Sequence, residues 1–284
     1  MDKIVVITGG NSGIGLAMAQ ELAARGARVC LACRNQAKAA AARDLILSRT
    51  PGAHVELYSL DLASFDSIRQ FAQDLSAKHA HIDVLLNNAG AAPLSQQFTA
   101  EGFELQFGAN YLGHFLLTHL LLPRLTAAVQ VKGEARVVNV ASIAHMLGRI
   151  RPETFRGMKR YSPAAAYAQS KLANLMFSNA LARRLPVGVT SQAFHPGGVD
   201  SEIWRDLPRL VYLLIKPTLI TAERAGRLGA DLALSPGHAR ENGGYFSTQW
   251  PRPVSRTARS QSAQDELYRL SCELTGVDAL PVLR

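Results

Sequence analysis

The sequence predicts an α/β fold: a single-domain, doubly wound (Rossmann) parallel sheet of seven strands in the order 3-2-1-4-5-6-7, with helices on both faces. Three observations carry that expectation. Short apolar runs alternate with segments of helical period along the whole chain, the pattern of strands buried on both faces between crossover helices. A glycine-rich turn joins the first apolar run directly to a helical segment. The 284 residues are 48% hydrophobic and 19% charged, without a Pro/Gly/Ser-rich linker, so one large core is expected over residues 1–284.

The first strand, Ile4 to Ile7, runs into Thr8-Gly9-Gly10-Asn11-Ser12-Gly13-Ile14-Gly15 and then a helix near 14–25. Strands follow at Val29 to Ala32, Val55 to Tyr58, Val84 to Asn87, Ala135 to Val140, Val189 to Phe194 and Tyr245 to Phe246. Helical periodicity fills the intervals near 36–49, 65–79, 101–126, 164–184 and 221–234, with a late helix near 260–275. Right-handed crossovers place a ligand crevice at the carboxyl ends of the strands, where the winding reverses. Gly198 to Thr221 breaks the rhythm with Ile203, Trp204, Leu207 and Leu210 to Ile215. An apolar insertion at that end of the sheet reads as a lid over a substrate.

Composition excludes several classes. The formal charge is +9, but the basic residues are dispersed and not interleaved with aromatics, so a polyanionic small molecule explains the sign better than nucleic acid. Three cysteines make no disulfide framework and point to a reducing compartment, the cytoplasm. Cys30 and Cys33 form a C-x-x-C inside a strand pattern, where a separation of three turns the side chains to opposite faces. No redox or metal site is expected. Met1-Asp2-Lys3 leads straight into the first strand, which leaves no room for a signal peptide. The stretches Leu112 to Leu122 and Leu210 to Ile220 are shorter than the roughly 20 residues a membrane span needs, so no transmembrane segment is expected.

The glycine-rich turn aims backbone N–H groups and the positive end of a helix dipole at one spot, which suits a phosphate. Glycine serves there because the turn needs positive φ and because the anion must approach bare backbone. Tyr167 and Lys171 lie four apart on a helical segment and so share a face. A phenol with an ordinary pKa of about 10 becomes a useful proton donor near neutrality if an adjacent ammonium favours the phenolate. Ser142 ends the fifth strand, at the same edge as the glycine turn, where its hydroxyl can hydrogen-bond a reacting oxygen. Asn110, inside a long helical segment, can hold a water that links a lysine to bulk solvent.

Taken together these motifs resemble the short-chain dehydrogenase/reductase family. Thr8-Gly-x-x-x-Gly13-x-Gly15, Asn87-Asn88-Ala89-Gly90, Asn110, Ser142, Tyr167-x-x-x-Lys171 and Pro196-Gly197 occur in the family's order across nearly the whole chain. Ala32-Cys33-Arg34, Ala144-His145, Ser170 to Asn174 and Gly244-Tyr245-Phe246 make it most similar to the retinol dehydrogenase group of NADP-dependent reductases. Membrane-bound members carry an apolar N-terminal segment ahead of the glycine turn that this sequence lacks.

The resemblance implies a catalytic tetrad. Ser142 orients a carbonyl, Tyr167 transfers the proton, Lys171 binds the nicotinamide ribose and lowers the tyrosine pKa, and Asn110 completes the set. Gly9, Asn11, Ser12, Gly13, Ile14 and Gly15 would hold the pyrophosphate. Asp61 and Leu62 would contact adenine, Asn88, Ala89 and Gly90 the adenine-ribose side, and Pro196, Gly197 and Val199 the nicotinamide.

An acidic residue after the second strand would bind the ribose hydroxyls of NAD and repel a 2′-phosphate. This chain has Arg34 and Asn35 there, and a guanidinium fork suits a phosphate, so NADP(H) is the expected cofactor. The expected substrate is a small apolar aldehyde, ketone or alcohol, lined by Trp204, Leu207, Leu210 and Tyr212. A non-catalytic NADP-binding sensor on the same fold is the alternative, and an enzyme acting on a sugar nucleotide is disfavoured because those usually carry a larger C-terminal substrate domain. In the family that the chain resembles, the two long helices near 101–126 and 164–184 commonly build a dimer face, so the resemblance implies a homo-oligomer.

Overall fold

The computed structural model describes residues 3–198, 220–248 and 253–283. Its sheet has seven parallel strands: β1 (Ile4–Thr8), β2 (Arg28–Cys33), β3 (Val55–Ser59), β4 (Val84–Asn87), β5 (Ala135–Val140), β6 (Val189–His195) and β7 (Tyr245–Ser247). Their order is β3-β2-β1-β4-β5-β6-β7, as the alternation of apolar runs predicts. The winding reverses between β1 and β4, which pair in parallel, so the crevice opens at the ends of those strands.

Successive side chains of each strand enter two separate cores. On one face, Val5 and Ile7 pack with α1 (Gly13–Ala24), α2 (Gln36–Arg49) and α6 (Ala222–Leu234). On the other, Ile4 and Val6 pack with α3 (Phe65–Lys78), α4 (Leu105–Lys132), α5 (Pro163–Ala182) and α8 (Gln261–Thr275). The C-x-x-C divides the same way: Cys30 is in the second core and Cys33 in the first, both as free, buried thiols.

Helix boundaries move where capping overrides periodicity. The segment near 101–126 is helical only from Leu105, because the buried Glu104 carboxylate accepts the Gln106 and Phe107 N–H groups and so begins the helix there. It continues past Pro123 to Lys132 and stops at Gly133, whose φ is +80°. One wide π turn, Gly108–Leu112, interrupts it. The late helix stands where expected, as α8, and a short helix the sequence reading did not place, α7 (Arg256–Arg259), precedes it; Ser255 and Ser260 cap the two starts, accepting from Ala258 and Ala263.

By length and composition α4 is apolar enough to cross a membrane, and more than half of its apolar stretch is buried inside the fold. It is the central helix of one core, longer than the Leu112 to Leu122 stretch suggests. α8 packs on α4: Tyr111 Oη meets Ser271 Oγ at 2.6 Å, and Tyr268 Oη meets His119 Nε2 at 2.7 Å. The predicted lid, with Trp204, Leu207, Leu210 and Tyr212, lies outside the described residues.

Candidate active site

The turn after β1 is built around bare backbone. Gly9 and Gly13 have φ of +65° and +51°, which L side chains resist. A Cβ on Gly15 would stand 2.3 Å from Gly9 O and 2.6 Å from Asn88 Nδ2, so only glycine lets α1 start this close to the turn. Ser12 caps α1 without a side-chain hydrogen bond, and with Asn11 it sits at the open mouth while Ile14 packs inward against Ile220 and Ala225. Exposed backbone donors at a helix start, with no side-chain oxygen covering them, fit the pyrophosphate of a dinucleotide.

Thr8 fastens this turn to the loop after β4. Its hydroxyl accepts the N–H groups of Asn88 and Ala89, both at 2.9 Å, and the Asn88 side chain donates to Thr8 O at 2.8 Å. Asn88 is therefore a brace for the turn, and the exposed Gly90 is left to line the crevice. The Thr8 hydroxyl also meets His114 Nε2 at 2.9 Å, while His114 Nδ1 lies 2.9 Å from Asn110 O. A carbonyl only accepts, so Nδ1 carries the proton and the bare Nε2 accepts from Thr8. Burial pushes His114 down to about 4, which keeps that tautomer neutral. Sequence reasoning gave His114 no role; its spacing of four from Asn110 on a helix was the available signal.

Asn110, inside the π turn Gly108–Leu112, is buried. Its Oδ1 accepts from Ala91 N at 2.7 Å, and its Nδ2 donates to Ala91 O at 2.9 Å and Ser170 Oγ at 3.2 Å. The side chain clamps the loop after β4 to α5.

Ser142, Tyr167 and Lys171 converge at the end of β5. Ser142 begins the short helical turn Ile143–Leu147, accepting from Ala144 N at 3.2 Å. His145 steadies it: its Nδ1 donates to Ser142 O at 2.7 Å, and its Nε2 accepts from Ser255 N at 3.3 Å. Lys171 is buried, with Nζ donating to Val140 O at 3.0 Å and lying 5.7 Å from the centre of the Tyr167 ring. A Cβ on Gly90 would stand 3.6 Å from Asn110 Oδ1 and 3.9 Å from Lys171 Nζ, so both groups border the same opening as the glycine turn.

Burial dominates the electrostatics. It pushes the Tyr167 phenol up, and a hydrogen bond with Ser142 offsets this only in part. It pulls the Lys171 amine down to about 8, and the Nζ donates to Val140 O.

The remaining positions divide between the crevice and structural work. Arg34 is exposed at the end of β2, beside the turn that Gly9 N anchors to Ala32 O at 2.9 Å. Asn35 is occupied as the cap of α2, accepting from Lys38 N at 2.9 Å. Asp61 Oδ1 accepts from Ala63 N at 2.9 Å, and Leu62 is buried under Gly113, so Leu62 offers a ligand its backbone only. Pro196 O accepts from Thr248 Oγ1 at 2.9 Å, and Gly197 has φ of +95°. Val199 lies outside the described residues.

Comparison with known proteins agrees with this geometry. A family model for short chain dehydrogenase matches residues 3–209. Retinol dehydrogenase 12 of Mus musculus is 44% identical over 97% of this chain and 87% of its own. A crystal structure of an uncharacterized protein from Mycobacterium Paratuberculosis is 36% identical, with a TM-score of 0.78 over 98% of this chain and 95% of that one. The Pseudomonas aeruginosa RhlG/NADP active-site complex is 26% identical, with a TM-score of 0.72 over 86% of this chain and 94% of that one. The chain belongs to the short-chain dehydrogenase/reductase family and is similar to its retinol dehydrogenases.

Proposed function

We propose that the protein is an NADP(H)-dependent oxidoreductase that interconverts an apolar aldehyde or ketone, retinal-like in character, and its alcohol. The observation that carries this reading is the convergence of Ser142, Tyr167 and Lys171 on the opening bordered by the glycine turn. The nicotinamide supplies or accepts the hydride at the carbonyl carbon. In reduction, Ser142 Oγ hydrogen-bonds the substrate oxygen and Tyr167 Oη delivers the proton that completes the alcohol; in oxidation Tyr167 takes it back. Lys171, on the same helix face as Tyr167, would bind a nicotinamide-ribose hydroxyl, and its ammonium together with the charge of an oxidised nicotinamide would favour the Tyr167 phenolate.

Arg34 supports the choice of NADP(H), since it is exposed at the end of β2 where a 2′-phosphate would lie. The similarity to retinol dehydrogenase 12 supports an apolar substrate. The assignment of its wall to Trp204, Leu207, Leu210 and Tyr212 rests on sequence.

Tyr167→Phe tests the reading against a cofactor sensor. NADPH-dependent reduction of all-trans-retinal and of a panel of apolar aldehydes and ketones should fall at least a thousandfold, with NADPH affinity within a fewfold of the parent. Turnover that survives in the variant refutes Tyr167 as the proton donor, and a parent chain that binds NADPH without turning over any of the panel leaves the sensor. Arg34→Ala should collapse a preference for NADPH over NADH of about tenfold or more in kcat/KM, and equal use of both cofactors by the parent chain contradicts the NADP(H) assignment.

A further inference from the structure

A second group of reactive side chains lies away from the crevice, where β2, β3 and the end of α3 meet. Cys30 and Glu56 are register partners on neighbouring strands, Tyr58 is two residues along on the same face of β3, and His79 closes α3 directly above them. His79 Nε2 stands 3.9 Å from Cys30 Sγ, 3.2 Å from Glu56 Oε2 and 3.0 Å from Tyr58 Oη. Tyr58 Oη is 2.9 Å from the same carboxylate oxygen. The thiol, imidazole and carboxylate donor atoms all lie within 4.8 Å of one another.

We infer that Cys30, Glu56 and His79 form a structural site for a divalent thiophilic cation, Zn²⁺ by preference, with Tyr58 Oη at the fourth corner. Zinc takes sulfur at about 2.3 Å and nitrogen or oxygen at about 2.0–2.2 Å in a tetrahedron, which places neighbouring donors roughly 3.3–3.7 Å apart. The observed 3.2 and 3.9 Å separations need shifts of only a few tenths of an ångström. A mixed sulfur, nitrogen and oxygen set suits zinc better than Mg²⁺ or Ca²⁺, which prefer oxygen alone. One thiolate and one carboxylate neutralise the ion's charge. The negative end of α3, a fourteen-residue helix, faces the site from the His79 end.

Binding breaks the Cys30 S–H bond, forms a metal–sulfur bond and releases the proton to solvent, with no change of oxidation state. Two cations face the group and oppose the ion: Lys78, whose Nζ is 2.8 Å from Glu56 Oε2, and Arg28 at the start of β2. Lys78 is 61% exposed and has room to swing into water. The site would tie the edge strand β3 and the end of α3 to the sheet. It was invisible to the sequence reading, which expected no metal, because its residues come from three elements with no ligand spacing in common.

The test uses Co²⁺ as a spectroscopic probe on the full-length protein after chelation. One equivalent should produce a near-ultraviolet thiolate-to-cobalt charge-transfer band with visible absorption of a tetrahedral centre, and Zn²⁺ should displace both. Cys30→Ser should lose the charge-transfer band, His79→Gln should weaken binding tenfold or more, and Lys78→Ala should tighten it. Zn²⁺ should raise the melting temperature of the parent chain but not that of Glu56→Gln, a variant at the more accessible end of the site that leaves the thiol in place. Absence of the band in the parent, or a band unchanged by Cys30→Ser, overturns the inference. Every readout is spectral or thermal, so the outcome is independent of which reaction the enzyme catalyses.

Discussion

Replacing Lys171 with methionine should make the protein more stable while abolishing turnover. The ammonium is 4% exposed, and burial alone lowers its pKa from 10.5 to about 8. That drop is equivalent to about 3 kcal/mol of unfavourable free energy while the group is charged. Methionine fills a similar volume without charge. It gives up the hydrogen bond to Val140 O, worth about 1 kcal/mol, but Asn174 Nδ2 still donates to that carbonyl at 3.3 Å. The net expectation at pH 7 is a gain of about 2 kcal/mol, or a rise of several degrees in Tm.

The pH dependence identifies the cause. Between pH 8 and 10.5 the unfolded lysine keeps its proton while the folded one releases it. Parental stability therefore rises with pH in that window, and the advantage of Lys171→Met shrinks toward zero. Urea unfolding of both chains at pH 7 and at pH 10 measures this directly. A variant that is less stable at pH 7, or whose advantage is the same at both pH values, refutes the claim that a desolvated charge is held here.

Gly15→Ala should destabilise the fold by about 1–3 kcal/mol and weaken NADPH binding at least tenfold, since its Cβ would press on Gly9 O at 2.3 Å. Gly13→Ala, which meets nothing within 4 Å but keeps a φ of +51°, should show only backbone strain of about 1–2 kcal/mol, and equal effects in both variants would contradict the steric reading. His114 should make the fold acid-sensitive: an unfolded imidazole takes up a proton below pH 6.5, and the buried one only near 4. Stability present above pH 6.5 is lost as pH falls through that window, by about 2–3 kcal/mol at pH 4.5. Urea midpoints of His114→Gln should be flatter across this range, and an unchanged acid limb in the variant would count against the buried neutral tautomer.

Much of the site was legible because it depends on local chemistry. The glycine turn, the Tyr167–Lys171 spacing and Ser142 at a strand end each follow from one segment's geometry, and the strand order follows from crossover handedness. Less legible were the roles of groups whose partners are distant in sequence. Asn110 braces Ala91 and Ser170, Asn88 secures Thr8, and His145 joins Ser142 to the start of α7, none of which any periodicity reveals.

The α/β class, the sheet order, the glycine turn and the residues that share one face of α5 were readable from the chain alone, because backbone sterics and side-chain period act within a few residues. The electrostatic state of those residues arises only in the fold. Tyr167 is pushed up and Lys171 down by the solvent that the packed fold excludes, and His114 is kept neutral by burial while its tautomer is set by a hydroxyl and a carbonyl from two different elements. The packing of α8 on α4 and the meeting of Cys30, Glu56 and His79 arise there too. Desolvation and long-range contact are properties of the assembled chain, so they appear only once it is folded.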